Sequence, residues 1–372
     1  MRDLIVFGED FGGLPSSTQH LIRHLAKTHK VLWINSIGLR QPKLSTKDVM
    51  RAFNKWFGKT NAVTQNMLDA NEHSHITVVN LKTIPAPSST LARKLAQMLM
   101  LKQLKPIIAK LNMRAPILWT SLPTAVDLCG HLGESAVVYY CGDDFSALAG
   151  VDHQTAAEHE SDLIKKSHLI FAASKTLINK FPEDKVQLLP HGVDVSLFST
   201  QVPRAKDLPS NHRPIAGFYG SLSQWLDYGL IEHVATAMPD WDFVFIGPNE
   251  LDSLALPNLD NVHYLGPKPH HSLPSYSQHW DVSLLPFVDN EQIRACSPLK
   301  LMEYLAAGTP IVTTPFPALI PYQEHVTKVS NAQQMIEALN KAHQLTNSPL
   351  SLVEKDSWQS RAKFVHWMLE LL

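Results

Sequence analysis

Twice along this 372-residue chain, short and mainly apolar runs alternate with longer amphipathic ones, and that alternation leaves few folds open. A run of four to six Val, Ile, Leu and aromatic residues without polar alternation suits a parallel strand covered on both faces. In the first stretch the runs are 4–7, 31–34, 76–80, 117–120, 137–140 and 169–172, with helical patterns at 18–28, 91–111 and 155–166 between them. A polar, proline-bearing segment, STQVPRAKDLPSNHRP from Ser199 to Pro214, then reads as a linker. The alternation restarts at 215–219, 242–246, 262–265, 281–285 and 311–314, with helices predicted at 226–238, after 297, at 332–345 and at 356–372. The pattern predicts an α/β chain of two Rossmann-like, doubly wound parallel-sheet domains facing a cleft, 1–198 and 199–355. A content of 44% hydrophobic and 18% charged residues is enough for two separate cores.

No apolar run reaches the length of a membrane span, and the opening MRDLIVFGED has no signal-peptide core or cleavage site. Three cysteines, odd in number and far apart, fit a reducing compartment rather than a disulfide framework. The expected location is the cytoplasm. A net charge of −1 hides an asymmetry: residues 1–120 hold 17 Lys and Arg against 6 Asp and Glu. Within them, Arg40, Lys43, Lys47, Arg51, Lys55 and Lys59 interleave with Phe53, Trp56 and Phe57. A second, acid-free segment, 91–114, mixes Arg93, Lys94, Lys102, Lys105, Lys110 and Arg114 with Leu, Met and Ile. Both suit either solvated surface helices or the anionic inner face of the cell membrane, where each basic residue contributes about 1 kcal/mol. No recognition module gives this charge a purpose in nucleic-acid binding.

The strongest local signal is SPLKLMEYLAAGTP, 297–310, followed by the β-branched run Ile311-Val312-Thr313-Thr314. It reads as a loop entering a helix N-terminus, where unpaired N–H groups and a partial positive charge suit a phosphate. Lys300 and Glu303 fall on one helical face, a cation beside the phosphate and an anion able to accept from sugar hydroxyls. The plain alternative is an amphipathic helix burying Leu299, Met302, Leu305 and Ala306. Four loops after predicted strands draw attention, because ligands in such sheets bind at the carboxyl ends. GEDFGGLPSS, 8–17, offers Gly12 and Gly13 for close approach; CGDDF, 141–145, presents Asp143 and Asp144. GSLSQWLD, 220–227, brings Gly220 and Ser221 for phosphate contacts and Trp225 for stacking or for the core, and 289–297 carries Arg294.

Four stretches, GEDFGGLPSSTQHLIRHLA, VVYYCGDDFSAL, PHGVD and SPLKLMEYLAAGTPIV, resemble in order and spacing a GT-B fold glycosyltransferase. The group resembled uses nucleotide sugars to build bacterial surface polysaccharides and includes the glucuronosyltransferase of xanthan synthesis. SWQSRA, 357–362, is similar to the start of the C-terminal helix that returns to the first domain in that fold, which would assign 356–372 there. The resemblance implies that Glu303 binds the nucleotide ribose, that Ser297, Pro298 and Leu299 meet the diphosphate through backbone amides, and that Lys300 binds phosphate. It also implies a first-domain aspartate as catalytic base, Asp143 before Asp144, which fits a carboxylate at a strand's carboxyl end. The first acid of the family's paired arrangement is replaced by Ala295, so inversion is favoured if Asp143 faces the anomeric carbon.

With no metal motif, charge on the departing diphosphate falls to the helix N-terminus, Lys300 and Arg294. The expected donor is UDP- or GDP-linked, with no other cofactor and no metal; the acceptor is a saccharide or polyprenyl-linked hydroxyl. The rival is a nucleotide- or carbohydrate-binding protein that has kept this fold without turnover. A metal bound by Asp143 and Asp144 would suit a single-domain GT-A transferase, which the second Rossmann-like half disfavours. His73 with His75 and His270 with His271 read as surface pairs, since no acid or cysteine stands at ligand spacing. A nicotinamide enzyme would need a glycine fingerprint, and none is present.

Overall fold

The computed structural model describes residues 2–13, 16–36, 75–84, 89–144, 153–297, 299–344 and 349–372. The basic-aromatic segment 40–59 lies outside the described residues. The chain divides into two units, Met1–Pro190 with Arg361–Leu372, and His191–Ser360.

The first unit is built on β1 (Leu4–Phe7), β2 (Val31–Ile34), β3 (Ile76–Val79), β4 (Ile117–Thr120), β5 (Ala136–Cys141), β6 (Leu169–Ala172) and β7 (Val186–Leu188). Every pairing is parallel, in the order β3-β2-β1-β4-β5-β6-β7. All residues of β1, β2, β4, β5 and β6 are buried, as continuous apolar runs demand. The helices are α1 (Ser17–Leu25), α2 (Thr90–Lys110), α3 (His153–Lys166) and α4 (Lys175–Ile178). Ser16 caps α1 by accepting from the Gln19 amide, and Ser89 caps α2 in the same way through Ala92. Helix α2 buries Ala96, Met100, Leu104 and Ile108, a stripe at four-residue spacing. Its opposite face leaves Leu91, Leu95, Met98 and Leu99 exposed.

In the second unit, β8 (Ile215–Tyr219), β9 (Asp242–Ile246), β10 (Val262–Tyr264), β11 (Val282–Leu285), β12 (Ile311–Thr313) and β13 (Thr327–Lys328) form a parallel sheet. The order is β10-β9-β8-β11-β12-β13, so it reverses between β8 and β11 as the first sheet does between β1 and β4. Around it run α5 (Val195–Ser199), α6 (Tyr228–Ala237), α7 (Pro274–Ser277), α8 (Glu291–Ala295), α9 (Leu299–Ala307), α10 (Ala332–Asn340) and α11 (Ser351–Glu354), while α12 (Trp358–Glu370) begins here and belongs to the first unit from Arg361 on.

The segment 199–214, read from sequence as a linker, is fastened to the second unit. The Val202 amide donates to Gln278 Oε1 at 3.1 Å, the Ala205 amide to the Ser275 carbonyl at 2.9 Å, and Asp207 accepts from Lys268 at 2.6 Å and Tyr276 at 2.8 Å. Its prolines and polar residues make a bonded surface layer rather than a free tether. The chain instead leaves the first unit at Pro190, inside PHGVD, and re-enters it after Ser360, inside SWQSRA. Val193 and Ser357 form a parallel bridge there, with the Val193 amide 3.2 Å from the Asp356 carbonyl and the Trp358 amide 3.1 Å from the Val193 carbonyl.

Candidate functional site

Strand β8 hands over to Gly220 and β9 to Gly247, both at φ +141°, a conformation that costs other residues dearly. The Gly220 amide donates to the Ile246 carbonyl at 2.8 Å, and the Gly247 amide to the Gly266 carbonyl at 3.0 Å. A Cβ on Gly247 would stand 2.0 Å from the Gly220 carbonyl oxygen; one on Gly220 would stand 1.9 Å from Lys300 Cε. The stem of Lys300 therefore lies on bare backbone at the carboxyl end of β8, beside the point where the strand order reverses. Its ammonium is 5.9 Å from the Phe218 ring centroid, within cation–π range.

Helix α9 is fixed by burial of Leu301, Met302, Tyr304, Leu305 and Ala306. Leu299, assigned to this stripe from sequence, is only half-buried, and Tyr304 is the larger anchor: its hydroxyl accepts from the Tyr219 amide at 3.0 Å. One turn from Lys300, Glu303 is 7% exposed, and its Oε1 accepts from His270 Nε2 at 2.7 Å. The Tyr219 hydroxyl is buried beside it. Burial first, and then the Glu303 charge, hold this phenol well above its ordinary pKa.

Of the other residues singled out, Ser221 is half-buried, and Trp225 is a half-buried side chain packed on the core of the second unit. Arg294, on α8, makes two hydrogen bonds to Asp289, at 2.7 and 2.8 Å. With Asp289, Phe316 and Lys328 it lines a cavity of about 360 Å³ whose walls include neither Lys300 nor Glu303. Ser297 and Leu299 are half-buried; Pro298 lies outside the described residues. Ala295 is buried.

In the first unit, Asp143 and Asp144 follow β5, but their surroundings differ. Asp144 accepts from Lys180 at 2.6 Å, and Lys180 lies 3.6 Å from Glu160, which accepts from the Tyr139 hydroxyl at 2.6 Å. Burial works against the Lys180 charge, yet the bond to Asp144 and the Glu160 charge raise its pKa overall. Asp144 thus ties the loop to α3 and α4, while Asp143 is exposed. Glu9, after β1, escaped the sequence reading. Burial raises its carboxyl pKa, opposed by its hydrogen bonds and reinforced by the Asp10 and Asp143 charges. Its place is set by Trp33, whose indole donates to the Glu9 carbonyl at 3.0 Å and packs where a Gly8 side chain would stand.

His270 is the second residue missed. The adjacent His271 is exposed, as read, whereas His270 is half-buried against Glu303. Among the described residues no group of three or more His, Cys, Asp or Glu is placed to hold a metal ion.

Two doubly wound parallel sheets with glycine-capped strand ends define a GT-B-type chain, and comparison with solved structures agrees. Anabaena HepE in complex with UDP and glucose matches at a TM-score of 0.69 and 12% identity over 100% of both chains. The sucrose-phosphate synthase of Thermosynechococcus elongatus also matches at 0.69, with 14% identity over 100% of this chain and 99% of that one. Residues 213–344 match the family model described as glycosyl transferases group 1. The teichuronic acid biosynthesis glycosyltransferase TuaH of Bacillus subtilis (strain 168) is 28% identical over 245 residues, 60% of this chain and 61% of that relative. The chain therefore has the GT-B fold, and its residues 213–344 are similar to the group 1 glycosyltransferases.

Proposed function

We propose that the protein transfers a sugar from a UDP- or GDP-linked donor to a hydroxyl of a saccharide or polyprenyl-linked acceptor during cell-surface polysaccharide synthesis. The observation that carries this reading is the Lys300 stem on Gly220 with Glu303 one turn away, at the strand ends where an α/β sheet binds its ligands. Lys300 holds the diphosphate and Glu303 the ribose hydroxyls. The bond from the anomeric carbon to the diphosphate oxygen breaks, and a bond to the acceptor oxygen forms. The acceptor proton passes to Asp143, and the leaving charge stays on the diphosphate against Lys300 and neighbouring amides, without a metal. Asp143 rather than Asp144 is the base in this reading because it is the more exposed of the two at the end of β5. The name of TuaH supports a role in surface polymers, and the UDP complex of HepE supports a nucleotide ligand.

We assign the work to the cytoplasmic face of the membrane. The outward face of α2 carries Leu91, Leu95, Met98 and Leu99 beside exposed Lys94, Lys102 and Lys105, which suits an anionic lipid surface. No helix among the described residues is long and apolar enough to cross a membrane.

Release of nucleoside diphosphate from donor plus lipid-linked acceptor tests the reading. Asp143→Asn is expected to slow release by at least about a hundredfold, the usual scale of general-base catalysis, while donor affinity stays within about twofold. Chelator is expected to leave the rate unchanged. Donor binding with no release from the unaltered protein would make it a binding protein instead.

A further inference from the structure

Resting on the donor-site reading above, we infer that His270 is a positioning residue for the nucleotide ribose, acting through Glu303. A carboxylate with one turn of helix behind it has freedom about its terminal torsion, and it accepts ribose hydroxyls well only when that torsion is set. His270 sets it. Its Nε2 donates to Glu303 Oε1 at 2.7 Å, which requires the proton to sit on that nitrogen. The ring itself has little freedom. It stands in the 3₁₀ turn His270–Ser272, closed by the Ser272 amide on the Pro269 carbonyl at 3.0 Å and the Leu273 amide on the His270 carbonyl at 3.1 Å. Its edge meets Phe198 at 5.5 Å between centroids, and Phe198 stacks on Tyr219 at 6.4 Å. Tyr219 meets Tyr304 at 4.8 Å, and its buried hydroxyl lies beside the Glu303 charge.

The turn after β10, α5, the end of β8 and α9 thus converge on one carboxylate. A structural pair needs no such shell at the mouth of a sheet, and Glu303 is buried deeply enough that loss of its donor leaves an acceptor to be satisfied some other way.

The test is calorimetric titration of the full chain with UDP, GDP and the 2′,3′-dideoxy form of whichever one binds. Substitution H270F keeps an aromatic ring against Phe198 and removes the donor; H270Q returns an N–H near the place of Nε2. The expected result is about tenfold weaker binding of the ribonucleotide to H270F, near-parental binding to H270Q, and equal binding of the dideoxy nucleotide to all three proteins. Equal affinity of H270F and the parent for the ribonucleotide overturns the inference, as does an equal loss for ribo and dideoxy forms. If the parent binds neither UDP nor GDP, the donor site itself is wrong and the inference falls with it. H270A extends the series, and circular dichroism of each variant separates lost binding from lost fold.

Discussion

Gly220 is the residue on which the second unit's geometry turns. Its φ of +141° and the Lys300 stem where a side chain would go leave no room for even a methyl group. For Gly220→Ala we expect about 1–3 kcal/mol of lost stability from the backbone conformation, read as a fall in the melting temperature. We also expect nucleotide affinity to fall, because Lys300 must vacate its position; unchanged melting and binding would contradict the geometry. That the chain would need a glycine here was visible only as a strand followed by Gly-Ser. That Lys300, 80 residues on, occupies its missing side chain was not, because nothing local encodes a contact across the sheet. His270 shows the same limit: beside His271 it looks like a surface residue, and only the 33-residue return to Glu303 gives it a task. Glu9 was hidden for a related reason, since its burial depends on Trp33 from the next strand.

Whole elements were far more legible than their partners. The mainly apolar runs marked eleven strands, because a strand buried on both faces carries few polar residues to confuse the pattern. The two it missed, Val186–Leu188 and Thr327–Lys328, are three and two residues long at sheet edges, and each includes a polar residue. The segment 199–214 misled for the opposite reason. Prolines and polar residues signal a loop but not whether that loop is tied down, and here side chains of α7 and the β10–α7 connection hold it. Helix α2 carries the element-scale prediction. Its buried stripe faces inward, and its outward stripe carries apolar residues together with Lys94, Lys102 and Lys105. Co-sedimentation with vesicles rich in phosphatidylglycerol is expected to exceed that with phosphatidylcholine, to weaken with salt, and to fall in the double variant Leu95→Glu with Met98→Glu. Sedimentation indifferent to lipid charge and to both substitutions would remove α2 from the membrane.

At the scale of the whole molecule, the proposed function gives each of the two sheets a different task. The second has glycine-lined strand ends beneath Lys300 and the His270-bonded Glu303, where the proposed function puts the nucleoside diphosphate. The first has Asp143 and the half-buried Glu9 at its own strand ends, where the proposed function puts the acceptor hydroxyl. The two-domain order followed from the repeated alternation, and the resemblance of SPLKLMEYLAAGTP to group 1 enzymes agrees with the family match over 213–344.

The measurement that bears most directly on this account is calorimetric titration of UDP and GDP into the unaltered chain and into Lys300→Ala. The account predicts saturable binding of one of the two nucleotides, weakened about ten- to a hundredfold by loss of the charge-assisted contact. Binding of neither nucleotide, or equal binding by both proteins, would contradict it.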